Sequence, residues 1–386
     1  MRPIASFVLP FAATLALAAY QNGGPAITAP DRSATPPAGN VAPFRRTEFA
    51  RFDQPWAMTF LPDGRLLVSE KAGRLKLFDP ATKRMGEIGG SPAVAYGGQG
   101  GLGDVAPPPR FADNEWVYFS HAEADEGSTR SVVVARAKLT LDVDGGGRLR
   151  APETIWRQVP KVKGGGHYSH RIVFAPNGGL FIGSGDRQTF EPAQDMRSNL
   201  GRIVRLDDDG SFAAGNPFVS QGGIAAQVWT LGHRNVLGLA FDARGQLWSH
   251  EMGPKGGDEF NRVVRGDNYG WPVVSDGDHY DGRPIPRHAS APQYHAPEVG
   301  WTPVISPSSL IFCDGAMFPR WRGRALIGGL SSQSPLVVKF DGDSAAEETR
   351  YPMGSRIREV EQGPDGALWL LEGGGNARLL RLTPAS

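Results

Sequence analysis

Phe60-Leu61-Pro62-Asp63-Gly64-Arg65-Leu66-Leu67-Val68-Ser69-Glu70 reads as a strand, a tight turn at Asp-Gly and a second strand, the strongest short hairpin signal a sequence carries. The phrase returns as Phe174-Ala175-Pro176-Asn177-Gly178-Gly179-Leu180-Phe181-Ile182. It returns again, without the turn proline, as Phe241-Asp242-Ala243-Arg244-Gly245-Gln246-Leu247-Trp248-Ser249-His250-Glu251. Its last copy is Gln362-Gly363-Pro364-Asp365-Gly366-Ala367-Leu368-Trp369-Leu370-Leu371-Glu372. The turn glycines 64, 178, 245 and 366 are 114, 67 and 121 positions apart. Two of these gaps are near twice about 57–60, the spacing expected where weaker copies intervene. Trp321-Arg322-Gly323-Arg324-Ala325-Leu326-Ile327-Gly328 is one candidate. At that period the chain holds roughly six units, and repeated four-stranded units without helices close into a ring with few open edges. The expected fold is all-β: a six-bladed β-propeller of four-stranded antiparallel blades over residues 44–386. From Phe44 onward only the short Pro192–Leu200 segment carries any apolar 3.6-residue period. A pair of twisted β-sandwiches is the competing arrangement, and it gives no reason for one phrase to recur at long spacing.

Composition fits that reading. The 386 residues are 40% apolar, enough for a large core, and Gly 51 with Pro 32 suits many short strands joined by many turns. A formal charge of +1, with no basic stripe, gives no field for nucleic acid or acidic membranes, so small molecules are the expected partners. Cys313 is the sole cysteine, which excludes an intrachain disulfide; in Leu310-Ile311-Phe312-Cys313 it reads as an inert core thiol. Residues 1–19 have the form of a secretory signal: Arg2, the apolar run Phe7 to Ala19 broken by Pro10 and Thr14, and Ala16-Leu17-Ala18 as a cleavage site. The run is too short to span a bilayer, and Tyr20 stands where a lipoprotein signal needs cysteine. Residues 20–43 read as a flexible leader. The protein is expected to be exported, periplasmic or secreted, with no stable membrane insertion.

Several loops carry chemistry. Gly164-Gly165-Gly166-His167-Tyr168-Ser169-His170-Arg171 enters a strand with a proton acceptor, a cation four residues later, and three glycines that admit a close approach. Gly98-Gln99-Gly100-Gly101-Leu102-Gly103 matches the dinucleotide-binding pattern, but Asp104-Val105-Ala106-Pro107-Pro108-Pro109 cannot be the helix that pattern requires. A glycine-rich loop carrying the Gln99 amide is the better reading. Arg234 and Asn235 set a guanidinium beside an amide, suited to carboxylate or carbonyl oxygens. The Gly253-Pro254 corner exposes carbonyls, with Asp258 and Glu259 close by, a set of hard oxygens that suits Ca²⁺. Asp276 to Gly282 is acidic but out of register with an EF-hand loop. In Arg356-Ile357-Arg358, strand alternation puts both guanidinium groups on one face, where they want an anionic partner.

Taken in order, Gly98-Gln99-Gly100-Gly101-Leu102, His167-x-x-x-Arg171, Gly232-x-Arg234-Asn235, Gly253-Pro254-x-x-x-Asp258-Glu259-x-Asn261, Asn268-Tyr269-Gly270-Trp271-Pro272, Pro307-Ser308-Ser309 and Arg356-Ile357-Arg358 form a specific set. From about Phe52 to Pro384 the chain resembles the soluble pyrroloquinoline-quinone (PQQ) dependent sugar dehydrogenases, the glucose/sorbosone dehydrogenases. The resemblance implies a six-bladed propeller that oxidises an aldose at C1 to the lactone and passes electrons to an external acceptor (quinone, cytochrome or dye). It implies that His167 is the general base for the anomeric hydroxyl as hydride passes to PQQ. By the same resemblance Arg234 and Asn235 hold PQQ oxygens, with Arg234 also stabilising developing charge. Gln99, Tyr280, Arg356 and Arg358 would bind the remaining oxygens and carboxylates, and Leu330 lies in a further cofactor-binding motif. The carbonyls of Gly253 and Pro254 would hold a Ca²⁺ that anchors and polarises PQQ. Glu259 and the Tyr269 carbonyl would ligate a second, structural Ca²⁺. The chain departs from the family at Ser331, where lysine is common, at Leu237 and Met252, where glutamines are common, and at Gly166. His170 is an extra histidine beside the base, which could contact substrate but is expected rather to stabilise a turn. A Ca²⁺-dependent propeller hydrolase of lactonase type would leave Arg356 and Arg358 without work, and a non-catalytic binding propeller would have no need of His167.

Overall fold

The computed structural model describes Ala42–Ala385, so the expected export signal at 1–19 and all but the last two residues of the expected 20–43 leader lie outside the described residues. The strands fall into antiparallel quartets. After β1 (Phe44–Phe52) come β2 (Pro55–Phe60), β3 (Leu66–Glu70), β4 (Arg74–Asp79) and β5 (Arg84–Gly89). Next are β6 (Leu102–Ala106), β7 (Trp116–Ala124), β8 (Arg130–Leu141) and β9 (Gly147–Arg157), then β10 (Ser169–Phe174), β11 (Leu180–Ser184), β12 (Arg202–Leu206) and β13 (Val228–Leu231). They are followed by β14 (Val236–Phe241), β15 (Leu247–Glu251), β16 (Asp258–Arg262) and β17 (Val299–Trp301), and by β18 (Pro307–Phe312), β19 (Ala325–Gly329), β20 (Ser334–Asp341) and β21 (Ser344–Arg350). The chain ends in β22 (Ile357–Gln362), β23 (Leu368–Glu372) and β24 (Ala377–Pro384). Four sheets have four strands and one has eight, the latter joined by a parallel contact of two residue pairs between β5 and β9. The first strands of the quartets touch in cyclic order, β2 to β6, β10, β14, β18, β22 and back to β2, an arrangement consistent with a propeller.

The recurring phrase is the first hairpin of a quartet in four places, and each long gap between copies holds a further first hairpin with a longer connection, β6–β7 and β18–β19. The turn differs from a two-residue Asp-Gly turn. Gly64 N–H donates to Leu61 O at 2.9 Å and Leu61 N–H to Arg65 O at 2.8 Å, with positive φ (86°) at Gly64 alone among the turn residues. That is a type I turn closed by a left-handed glycine, which suits proline at its second position. The same pair of bonds recurs at Gly178, Gly245 and Gly366. The Pro192–Leu200 segment holds only one short 3₁₀ turn, Glu191–Gln194.

The core is a series of apolar slabs between neighbouring sheets. Leu67, Leu75 and Leu77 meet Val117, Phe119 and Leu139 in one slab, and Trp248 and Phe260 meet Ile327 and Val338 in another. Because both faces are covered, β3, β11, β15, β19 and β23 are buried along their whole length. Strand β1 pairs with β24, so the N-terminal strand completes the C-terminal sheet and closes the ring.

Arg171 sits on the axis of that ring and not beside His167. It ion-pairs with Asp104 (3.3 Å) and Glu359 (3.1 Å), donates to Leu237 O (2.8 Å) and Ser308 O (3.0 Å), and lies 4.7 Å from the Trp56 ring. One buried guanidinium thereby touches the inner strand of every other quartet. Cys313 is buried and free, as an inert core thiol should be.

Candidate active site

The glycines before His167 leave room for protein backbone. Gln99 N–H donates to Gly165 O at 2.7 Å, and a Cβ on Gly98 would run into that carbonyl, so the two glycine loops pack against each other. Gln99 Oε1 in turn accepts from His167 N–H at 2.7 Å. His167 is held at φ 48°, a left-handed conformation uncommon for histidine, and a Cβ on Gly185 would strike its carbonyl. Its Nδ1 lies 2.6 Å from Asp186 Oδ1. Asp186 is itself fully buried, with Oδ1 accepting from Gln188 N–H at 2.8 Å and Oδ2 from Trp271 Nε1–H at 2.7 Å. A carboxylate fixed in this way keeps the histidine proton on Nδ1 and leaves Nε2 as an acceptor. Burial pushes the His167 pKa below its ordinary value, opposed by the Asp186 hydrogen bond and reinforced by Arg234, so the ring is neutral at pH 7.

His167 and Arg234 open onto the same cleft. Its volume is about 570 Å³, and its walls include Gln99, Gly253, Pro254, Asp258 and Tyr280. Arg234 is anchored by its backbone N–H to Glu251 Oε2 (2.5 Å), while Nη1 donates to Met252 O (2.9 Å) and Gly253 O (2.7 Å). Tyr280 stands exposed at the rim, its hydroxyl 3.4 Å from Arg234 Nη2. An adjoining cavity of about 300 Å³ shares Gln99, Met252 and Ser306 with the cleft and is lined further by Trp56, Lys71, His170, Asn235, Leu237, Leu330, Arg356 and Arg358. Arg356 precedes β22 rather than lying on it, yet its Cβ and that of Arg358 both flank Gly373. His170 belongs to this inner cavity, stacked on Tyr168 at 5.4 Å, and burial pushes its pKa down to about 3.

Glu259 and Tyr269 lie apart from both spaces. Glu259 is buried, bonded by Asn261 (3.2 Å), and pushed up to about 8 by burial and then by Glu251. The Tyr269 carbonyl accepts from His288 Nε2 at 3.1 Å, and His288 Nδ1 is 3.5 Å from Asp276. A histidine thus shares the polar surroundings expected for the second Ca²⁺, and the Tyr269 carbonyl keeps a second lone pair beyond its bond to His288. At the first position the Gly253 carbonyl likewise has a second lone pair beyond its bond to Arg234, and Pro254 lies beside it on the cleft wall. Asp258 cannot join that set freely, because backbone N–H groups of Gly253, Ile305 and Ser306 take its two oxygens. The inner cavity fits a polyanion. It is lined by three cations and no carboxylate, and Arg358 Nε is buried without a hydrogen-bond partner.

The profile of the glucose/sorbosone dehydrogenases matches residues 52–381. The chain belongs to the glucose/sorbosone dehydrogenase family. It is 34% identical over 340 residues to the aldose sugar dehydrogenase YliI of Escherichia coli, covering 86% of this chain and 91% of that protein. A crystal structure of a glucose dehydrogenase superposes with a TM-score of 0.84 at 38% identity, covering 89% of this chain and all of the other. The PQQ-bound aldose sugar dehydrogenase of Streptomyces coelicolor superposes with a TM-score of 0.72 at 30% identity, covering 90% of this chain and 99% of that one.

Within this glucose/sorbosone dehydrogenase, sequence reasoning missed Asp186, Trp271 as its donor, and Lys71. A signal for Asp186 existed. Each repeated hairpin carries an acid at or just beyond the end of its second strand: Glu70, Asp186, Glu251 and Glu372. Two of these, Glu70 and Glu251, bind the backbone N–H of Asp53 and Arg234 just ahead of their own hairpins.

Proposed function

We propose that this protein is a PQQ- and Ca²⁺-dependent aldose dehydrogenase that oxidises the C1 hydroxyl of a sugar to a lactone and releases electrons to an external acceptor. The observation that carries the reading is the convergence of the His167–Asp186 pair and Arg234 on one cleft that continues into a carboxylate-free, cation-lined cavity. Bound PQQ supplies an electron-poor quinone as two-electron acceptor, and Ca²⁺ a Lewis acid beside it.

The protein's own groups do the rest. His167 Nε2 takes the proton of the anomeric hydroxyl, and Asp186 stabilises the imidazolium that forms. Arg234, pinned by Glu251 and two carbonyls, holds positive charge where negative charge builds. Gln99 and Asn235 would hold quinone oxygens, Arg356 and Arg358 would bind its carboxylates, Leu330 would line the same cavity, and Tyr280 borders the entrance. The Gly253 and Pro254 carbonyls would hold the metal. The blade count in this reading is six, supported by the division of the eight-stranded sheet at its two-pair parallel contact. Residues 1–19 serve as an export signal, which places the enzyme in the periplasm or outside the cell.

Reconstitution tests the reading directly. Purified apoprotein supplied with PQQ and Ca²⁺ should reduce a dye acceptor with at least one aldose in a sugar panel. Confirmed PQQ binding with no dye reduction on any sugar would sink the dehydrogenase assignment.

A further inference from the structure

We infer that Lys71 is a third cationic contact to the cofactor's carboxylates, alongside Arg356 and Arg358. The inference rests on the quinone reading and concerns a residue that no motif marked.

Lys71 follows β3, in the turn closed by Gly73 N–H to Glu70 O at 2.9 Å. Its backbone is held on both sides: Lys71 N–H donates to Gln54 O at 3.0 Å, and Lys71 O accepts from Leu102 N–H at 3.0 Å. Its ammonium reaches the Gly98 carbonyl at 2.8 Å, next to Gln99, and lies 5.7 Å from the Tyr96 ring. One N–H is spent on Gly98, and an ammonium has three, so two remain for the cavity.

The surroundings are unbalanced in charge. Lys71, Arg356 and Arg358 line one cavity of about 300 Å³ with no carboxylate in its wall. Among the described residues none of the three makes an ion pair. The acids next to them in sequence are both engaged elsewhere: Glu359 has both oxygens bound by Arg171, and Glu70 accepts from Asp53 N–H on one oxygen and from Arg74 on the other. Burial and then Arg358 push the Lys71 pKa down, while burial and then Arg356 bring Arg358 down to about 10, the mark of like charges held together out of water. Arg358 Nε is buried and unbonded. A tricarboxylic acid answers all of this at once, with each charged hydrogen bond contributing about 10- to 100-fold in affinity.

The competing role for Lys71 is purely structural, as an anchor for the Gly98–Gln99 loop. Titrating full-length apoprotein with PQQ and, separately, with its uncharged trimethyl ester separates the two, read by quenching of tryptophan fluorescence in Ca²⁺. We expect Lys71→Met to weaken PQQ binding about 10- to 100-fold and ester binding less than about threefold, and Lys71→Arg to recover most of the PQQ affinity. Equal loss of acid and ester would mean loop anchoring and would overturn the inference. Wild-type PQQ affinity in Lys71→Met would overturn it too while leaving the quinone reading intact. Wild-type protein that binds neither compound would bring down both.

Discussion

Replacing Asp186 with asparagine should disable the base while leaving the cofactor site intact. Asp186 receives three donors: the His167 Nδ1–H at 2.6 Å and Gln188 N–H at 2.8 Å on one oxygen, and Trp271 Nε1–H at 2.7 Å on the other. An amide offers one acceptor oxygen, so its NH₂ must face either the tryptophan or the histidine. Facing the histidine, it favours the tautomer with the proton on Nε2, and the cleft then meets a donor where it needs an acceptor. The loss of a charged hydrogen bond, about 1.5–3 kcal/mol, gives roughly 10- to 150-fold from the tautomer alone. The missing carboxylate also ceases to stabilise the imidazolium, so the expected fall in kcat is about 10²–10⁴-fold. Because Asp186 raises the His167 pKa, whose net position is already below 6.5, any residual activity should have its acid limb moved to still lower pH. The assay is steady-state dye reduction from pH 4 to 8 by PQQ-loaded protein, with PQQ affinity measured on the same preparation. Turnover within about threefold of wild type, with an unmoved acid limb, would refute the pairing as the device that makes His167 a base.

His167→Gln should retain PQQ binding and lose turnover by about 10²–10⁴-fold, checked by parallel PQQ titration and dye reduction. Arg171→Met leaves Asp104 and Glu359 as buried, unpaired carboxylates on the ring axis, and should cost about 3–5 kcal/mol in denaturant unfolding. Glu361 is pushed up to about 8 by burial and then by Glu359. A carboxyl whose folded pKa exceeds its unfolded value of 4.5 binds more protons folded than unfolded, so its contribution to stability falls as pH rises from about 4.5 to 8. Glu361→Gln should therefore lessen the loss of stability between pH 5 and pH 8 in urea unfolding, and an unchanged pH slope would count against the buried-acid account.

The hairpins were legible because a type I turn closed by glycine is written in adjacent residues: Pro62-Asp63-Gly64 and its relatives need nothing from the rest of the chain. The wider gaps were legible as missing copies, and β6–β7 and β18–β19 occupy them. Closure by β1 was not legible, since Phe44–Phe52 is exposed along most of its length and its partner β24 lies at the far end of the chain. At the candidate site, side chains whose chemistry is unusual in a loop, such as Gln99 and the Arg234-Asn235 pair, stood out. Asp186 did not, because it lies two positions beyond its strand, and only setting the repeated hairpins side by side matches it with Glu70, Glu251 and Glu372.

Sequence alone determined the local elements and the inventory of donors: the recurring hairpin, the imidazole after three glycines, the paired arginines, the carbonyl corner at Gly253-Pro254. Tertiary structure decided what each charge faces. Arg171, four positions from His167, went to the ring axis to bind Asp104 and Glu359, while Lys71 and Arg356, from opposite ends of the chain, came to one cavity. The reason is physical: a turn depends on torsions of neighbouring residues, whereas the field at a side chain depends on which strands the closing ring brings alongside it.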